Sequence, residues 1–557
     1  MESILLRASE DAAQRRGCSV PELAQLVQIE RPKREGQGDR ASGVAMRIAK
    51  ALSASPRELA EEIVASVSEQ GHGHSPSCAI AKVEVAGPGF INFFLSDKWR
   101  ENVVAEVLAK RESYGASDRG AGRRVQVEFV SANPTGPLHI GHGRGAAVGD
   151  VLANLLAFTG WNVEREYYIN DAGLQMEILG KSVQARYLEL LGQPAAFPEN
   201  GYKGEYIVDL ARAAKEGGQV PQQGDSLPWF KRYAADSILG GIKDDLARFG
   251  VKFDVWFPES ELYKRGLVAE AMQQLKDGGH AYEADGALWF KTSDFIGASD
   301  EDDESKKDRV LIRANGVPTY FASDIAYHRD KYERGFDRVI DIWGADHHGY
   351  VPRMRAAVES IGRSRQDFDV ILIQLVSLLR DGVQVAMSTR AGEFVTLRDV
   401  LDEVGTDATR YFFLTRRADS QLEFDLELAK REGSDNPVYY IQYAHARICS
   451  VMREAAERGV RAAASAEVFA DRDARALLDS VSAFPAEIDG ASKDLAPHVL
   501  TAYALSLAGR FHAFYNTNRI LGEAPSMEAG RLALVEAVKV VLSNCLRLLG
   551  VTAPEKM

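Results

Sequence analysis

The sequence predicts a multidomain α/β protein: a parallel-sheet core between a small N-terminal α+β domain and a C-terminal all-helical domain. Three observations carry this. A strand, a helix and a second strand follow one another between residues 123 and 168, a βαβ unit that implies parallel pairing. Ahead of them, two alternating segments flank a Gly-Pro-Gly turn. Behind Gly433 the pattern becomes wholly helical. A length of 557 residues sets a prior of about three to five domains. With 45% hydrophobic and 26% charged residues, the chain is neither disordered, collagen-like nor membrane-embedded.

The elements follow in order. Arg57 to Val67 has helical spacing, and Ile80 to Val85 and Phe90 to Leu95 alternate as strands around Gly87-Pro88-Gly89. Trp99 to Lys110 reads as a helix leading out of this first domain, placed at 1–112. In the next strand Val125, Val127 and Phe129 alternate with Gln126 and Glu128. A Pro/Gly-rich loop, Ser131 to Leu138, runs into His139-Ile140-Gly141-His142-Gly143-Arg144-Gly145 and an apolar helix ending at Phe158, before Gly160. Val163 to Tyr168 is the second strand. The core domain spans 113–433, with insertions over about 193–310 that include a Gly/Pro/Gln-rich stretch and the charged run Ser299 to Asp308. Sheet signals return at Val339 to Trp343 and Val370 to Leu378. From 434 to 557, three long runs carry helical spacing: one through Ile441 and Ile448, one through Leu500 and Phe511, and one from Leu532 to Leu549.

The 67 Lys+Arg and 80 Asp+Glu leave a net charge of −13, which disfavours nonspecific coating of nucleic acid. The excess lies ahead of residue 441, because the tail beyond it holds 13 basic and 13 acidic residues. Cys18, Cys78, Cys449 and Cys545 form no C-x-x-C pair and are too sparse for a disulfide scaffold. Met1 to Ala12 has acidic residues and no long apolar stretch, so it does not read as a signal peptide. The longest apolar run, Val370 to Leu379, is too short for a membrane span, and the cytoplasm is the expected location.

Two histidines separated by two residues, between a strand and a helix, stand where open α/β sheets bind ligands. Free N–H groups at the helix start favour phosphate, imidazoles can donate to phosphoryl oxygens, and glycines let a nucleotide approach the backbone. The alternative for a bare H-x-G-H is a Gly-rich turn with two surface histidines. The surrounding stretch SANPTGPLHIGHGRG resembles the signature of class I aminoacyl-tRNA synthetases, and its long form resembles the arginyl-tRNA synthetases. PGFINFFL at 88–95, EYYINDAG at 166–173, YFASDIAYHRDK at 320–331, IWGADHHG at 342–349, MSTRAGEFVTL at 387–397, NPVYYIQYAHAR at 436–447 and LRLLGVTAPEKM at 546–557 are similar to the same family in the same order.

The resemblance implies a Rossmann-type core, an N-terminal domain touching tRNA and a C-terminal anticodon-binding domain. The implied activity is activation of L-arginine by ATP, with Mg2+, to arginyl-adenylate, then transfer to the terminal adenosine of tRNA(Arg). It implies ATP contacts from His139, Gly141, His142, Asp346, His348, Met387 and Ser388, with Gly141 under the adenine. It implies Tyr320 and Asp324 on the arginine side chain, and Glu128, Ser131 and Asn133 on its α-amino and carboxylate end. A pair spaced by four on a helix can face one pocket, and a carboxylate suits a guanidinium. The family's second signature, K-M-S-K, is here Ala386-Met387-Ser388-Thr389, without either lysine. Arg390 is the first candidate for the cation that stabilises pyrophosphate; Arg144 and Lys181 are others. For tRNA, aromatics can stack on bases and amides can read base edges. Tyr439, Tyr443 and Tyr515, with Asn436 and Gln442, are the candidates in the helical domain, and Phe90 and Asn92 in the first. No structural metal and a monomer are expected. Competing readings are another class I synthetase, a nucleotidyltransferase, and a noncatalytic tRNA-binding paralogue, which would be expected to lose residues such as His139 and Asp324.

Overall fold

The computed structural model describes all residues except 31, 33–35, 70–78, 222–224, 296–306 and 386–394. At its centre five strands form one parallel sheet: β1 (Arg124–Glu128), β2 (Asn162–Ile169), β3 (Val255–Pro258), β4 (Arg338–Gly344) and β5 (Phe368–Ile373), in the order β5-β4-β1-β2-β3. Val125, Gln126 and Val127 of β1 are all fully buried, as expected of a strand covered on both faces. The connection out of β1 runs to one side of the sheet and β4 arrives on the other. A crevice therefore opens beyond their carboxyl ends, where such sheets bind ligands.

α1 (Ile140–Phe158) is the crossover from β1 to β2 and packs tightly on the sheet. A Cβ on Gly149 would stand 2.2 Å from the Phe129 ring, and one on Gly143 would stand 2.8 Å from Leu397. These two glycines set how closely α1 approaches its neighbours. α2 (Leu174–Leu190) follows β2, and α3 (Tyr320–Glu333) precedes β4.

Ahead of the core, Arg40–Ser42, Ile80–Ala86 and Phe90–Leu95 form an antiparallel sheet against helices Glu2–Arg15 and Pro56–Glu69. Behind it, α4 (Pro437–Glu457), α5 (Arg472–Lys493), α6 (Val499–Thr517) and α7 (Pro525–Leu549) pack as a bundle. Arg410, wholly buried, ties the bundle to the core: it donates to the Leu549 and Phe249 carbonyls, each at 3.0 Å, and to Asp150 at 2.5 Å.

Three features depart from the sequence reading. The run Val370 to Leu378 is split: Phe368–Ile373 joins the parallel sheet, while Val376–Arg380 pairs with Leu422–Asp425 in a separate sheet. The break at Gln374-Leu375 is what brings the backbone to the crevice. The bundle contains a fourth helix, α5, in which Pro485 lies inside the helical span. The insertion contains a small antiparallel sheet of Ala281–Ala284, Ala287–Phe290 and Arg309–Ile312.

Candidate active site

Two adjoining cavities open at the carboxyl ends of β1 and β4. The first, 640 Å³, is lined by Glu128, Ser131, Tyr320, Asp324 and Tyr350 among others. The second, 900 Å³, is lined by Asn133, His139, Gly141, His142, Asp346 and His348 among others. Val130, Ser131, Trp343, Gly344 and His347 line both, so one wall is shared. The chain turns sharply into that wall: Val130 and Ser131 have φ of 68° and 38°, a left-handed conformation that a β-branched residue rarely adopts. The turn sends Ser131 Oγ back to donate to Glu128 Oε1 at 2.9 Å and to accept from the Tyr168 N–H at 3.1 Å.

On the second cavity's side, the two histidines cap α1. His139 Nδ1 accepts from the Gly141 and His142 N–H groups at 3.1 and 3.4 Å, and His142 Nδ1 accepts from the His139 N–H at 3.3 Å. Their rings stack with centroids 3.7 Å apart. Burial holds His142 down to about 3 and lowers His139 as well. Both rings are therefore neutral at neutral pH. With Nδ1 accepting, the single proton sits on Nε2, so each ring is an Nε2–H donor. Asp346 and His348 stand on the exposed turn Ala345–Tyr350, where His348 Nδ1 is paired with the Ala345 carbonyl at 3.2 Å. Asn133 donates to Gln175 Oε1 at 2.8 Å across the mouth.

On the first cavity's side, Tyr320 begins α3 and is 68% exposed, and Asp324 lies one turn further in. Asp324 accepts a short hydrogen bond from the Tyr350 hydroxyl. Burial raises its carboxyl above the usual range, with the Tyr350 bond and His328 opposing. Behind it, burial together with Asp324 and Asp171 pushes Glu259 up to about 7. Sequence reasoning missed Tyr350, His328, Lys331, Asp341 and Glu259. A signal was present for two of them, since His328 and Lys331 continue the Tyr320 and Asp324 face of α3.

Several sequence-derived candidates are placed elsewhere. Arg144 is fully buried and donates to the carbonyls of Gln374, Ser420 and Arg417 at 2.7–2.8 Å, with burial bringing it down to about 10. It is a structural brace, which corrects its candidacy as a leaving-group cation. Lys181 pairs with Glu177 at 2.6 Å on the face of α2. Arg390, Met387 and Ser388 lie outside the described residues. Asn436 caps α4 and spends its amide nitrogen on the Ala429 and Arg431 carbonyls, and Gln442 is buried against Asp407 and Thr552. Asn92 is 3% exposed. The amides of Asn436 and Gln442 are committed to the interior, so reading of base edges is not carried forward for them, and Asn92 is too buried to meet tRNA directly. Phe90, by contrast, is exposed. Tyr439, Tyr443 and Tyr515 come together on the bundle surface: the rings of Tyr439 and Tyr443 stack, and the Arg447 guanidinium lies 4.6 Å from Tyr443 and 4.7 Å from Tyr515.

Comparison with known proteins gives a consistent match along the chain. Residues 6–95 match the arginyl tRNA synthetase N terminal domain, 103–421 the catalytic domain of class I tRNA synthetases (R), and 441–557 the DALR anticodon binding domain. An arginine–tRNA ligase of Syntrophotalea carbinolica is 51% identical over 561 residues, covering 99% of this chain and 98% of that one. The arginine–tRNA ligase of Citrifermentans bemidjiense is 51% identical over 95% of each chain. The solved Thermus thermophilus arginyl-tRNA synthetase has the same fold, with a TM-score of 0.76 and 24% identity over the full length of both chains.

Proposed function

The chain belongs to the class I arginyl-tRNA synthetases and is an arginine–tRNA ligase, and from that premise we propose how its residues do this work. It activates L-arginine with ATP and passes the arginyl group to tRNA(Arg), releasing AMP and pyrophosphate. The single observation that supports the assignment of residues is the pair of cavities sharing one wall at Ser131 and Gly344. Arginine takes the first and ATP the second, so the carboxylate reaches the α-phosphorus at the junction. Asp324, with Tyr320 beside it, receives the guanidinium. Glu128, Ser131 and Asn133 hold the α-amino and carboxylate end. His139 and His142 donate Nε2–H to phosphoryl oxygens, and Gly141 lies under the adenine with Asp346 and His348 on the ribose side. Met387 and Ser388 approach the phosphates, and Arg390 supplies the cation for the leaving pyrophosphate.

The catalytic demand is positioning plus stabilisation of negative charge that grows on phosphoryl oxygens. Neutral Nε2–H donors fixed by the α1 backbone answer it without reorganisation. Among the described residues no group of three or more His, Cys, Asp or Glu could hold a metal ion. Mg2+ held by the ATP phosphates would add positive charge against the phosphoryl oxygens. Residues 1–112 and 434–557 flank the catalytic 113–433 and take the tRNA, with Phe90 in the first and Tyr439, Tyr443 and Tyr515 in the second as stacking surfaces. We further propose a cytoplasmic monomer; among the described residues no helix is long and apolar enough to cross a membrane. Charging of total tRNA with radiolabelled arginine, other amino acids as controls, tests the assignment. ATP–pyrophosphate exchange is expected only with tRNA present, and robust exchange without it overturns that part.

A further inference from the structure

Beneath the first cavity a buried ion network joins Glu128 to Lys331, Asp341 and His328, three residues the roles above do not use. Lys331, two turns beyond Asp324 on α3, is fully buried. Its ammonium donates to Glu128 Oε2 at 2.5 Å and to Asp341 Oδ1 at 2.9 Å. One cation thus serves two carboxylates, on β1 and on β4. The two are not equivalent. Asp341 is also met by His328 Nε2 at 2.9 Å and is 1% exposed. Glu128 has its other oxygen on Ser131 Oγ and is the more exposed of the two, at 7%, on the cavity wall that both line.

The remaining groups around Glu128 do not hold it as an anion. Tyr327 on α3 turns its hydroxyl to Glu166. Glu166 on β2 is occupied by Arg334 at 2.5 and 3.0 Å. Tyr168, also on β2, stands beside the cavity. Burial, Asp341 and Glu166 push the Glu128 carboxyl up, and Lys331 is the cation that opposes them. A buried carboxylate without a counter-charge neutralises itself.

We propose that Lys331 is a positioning residue that keeps Glu128 ionised and turned toward the cavity, ready for the ammonium of the amino-acid substrate. This rests on the reading that Glu128 meets the α-amino group of arginine. Without Lys331, the burial and the neighbouring Asp341 and Glu166 that push the Glu128 carboxyl up go unopposed, and where it takes up a proton the ammonium loses its acceptor. The loss is deepest at low pH and shrinks as rising pH ionises Glu128 again.

The test is steady-state tRNA charging between about pH 6.5 and about pH 8.5. Lys331→Met is expected to raise the arginine KM roughly 30-fold or more at the acid end. The ratio to the parent enzyme should narrow by about fivefold or more toward the alkaline end. The ATP KM should stay within about twofold, since no uniform loss of site geometry is involved. A KM ratio that does not change with pH, or arginine and ATP KM values rising together, overturns the proposal and leaves Lys331 a structural ion. If Lys331→Met does not fold, Lys331→Met with Asp341→Asn keeps the local charge balance. A raised arginine KM persisting there supports positioning, and a parental KM overturns it. Glu128→Gln separates the two layers: an unchanged arginine KM overturns the Glu128 contact and the proposal with it. A raised KM there beside a pH-independent Lys331→Met ratio overturns the Lys331 role alone.

Discussion

Asp324 is a carboxylate set below a cavity with a phenol already on one oxygen. A guanidinium offers it a planar fork of donors, which a lysine ammonium cannot reproduce. Asp324→Asn keeps the shape and removes the charge. It should raise the arginine KM about 30-fold to several thousand-fold and leave the ATP KM unchanged, measured side by side in charging assays. Arg390→Ala should lower kcat by roughly 10²–10³ with a smaller change in arginine KM, read in single-turnover activation. The stacked histidines weaken the fold as pH falls. Burial lowers both below the ordinary value of 6.5, so the unfolded chain binds the extra proton first as pH falls. Their contribution against stability is absent above that value and grows below it. His142→Asn removes part of it, so the melting-temperature gap between parent and variant should narrow from about pH 7 to about pH 5. What residue type alone could not disclose is where an amide or guanidinium spends its donors. Arg144, Asn436 and Gln442 carry the chemistry expected of a site, yet each is bonded to carbonyls or carboxylates of the interior.

At the scale of elements, the fit of α1 on β1 depends on glycine. An added Cβ at Gly149 meets the Phe129 ring at 2.2 Å, well inside contact distance. Gly149→Ala should therefore destabilise by about 1–3 kcal/mol despite the better helix propensity of alanine, measured by denaturant melting. Most elements were legible because their periodicity is undiluted: the helix running to Phe158 and the alternating strands at 80–85 and 90–95 lie within a residue or two of the observed spans. Two were not. α5 keeps helical spacing through Leu477, Val481, Phe484 and Ile488, but Pro485 reads locally as a breaker. The run from Val370 to Leu378 is apolar apart from Gln374 and Ser377, and one polar residue inside an apolar run does not say that the strand leaves one sheet for another there. The Lys331 network was hidden for a related reason: only the fold brings β1, α3 and β4 together.

At the scale of the molecule, core and bundle share one hydrophobic cluster, and buried polar ties cross it. Arg410 is the densest, since its guanidinium is wholly buried and shared by Asp150, Phe249 and Leu549. Among the described residues, Arg410→Met leaves Asp150 with Arg165, 3.4 Å away, as its ion-pair partner. It should cost roughly 3–5 kcal/mol, seen as a lower melting temperature, because a buried charge loses its partner. Asp150 sits in the middle of the helix that begins beside His139, and Leu549 ends the last helix of the bundle. One guanidinium therefore clamps the two rods to each other. Each rod is bonded once to that group, so a displacement of the last turn of α7 pulls on the same guanidinium that holds the middle of α1.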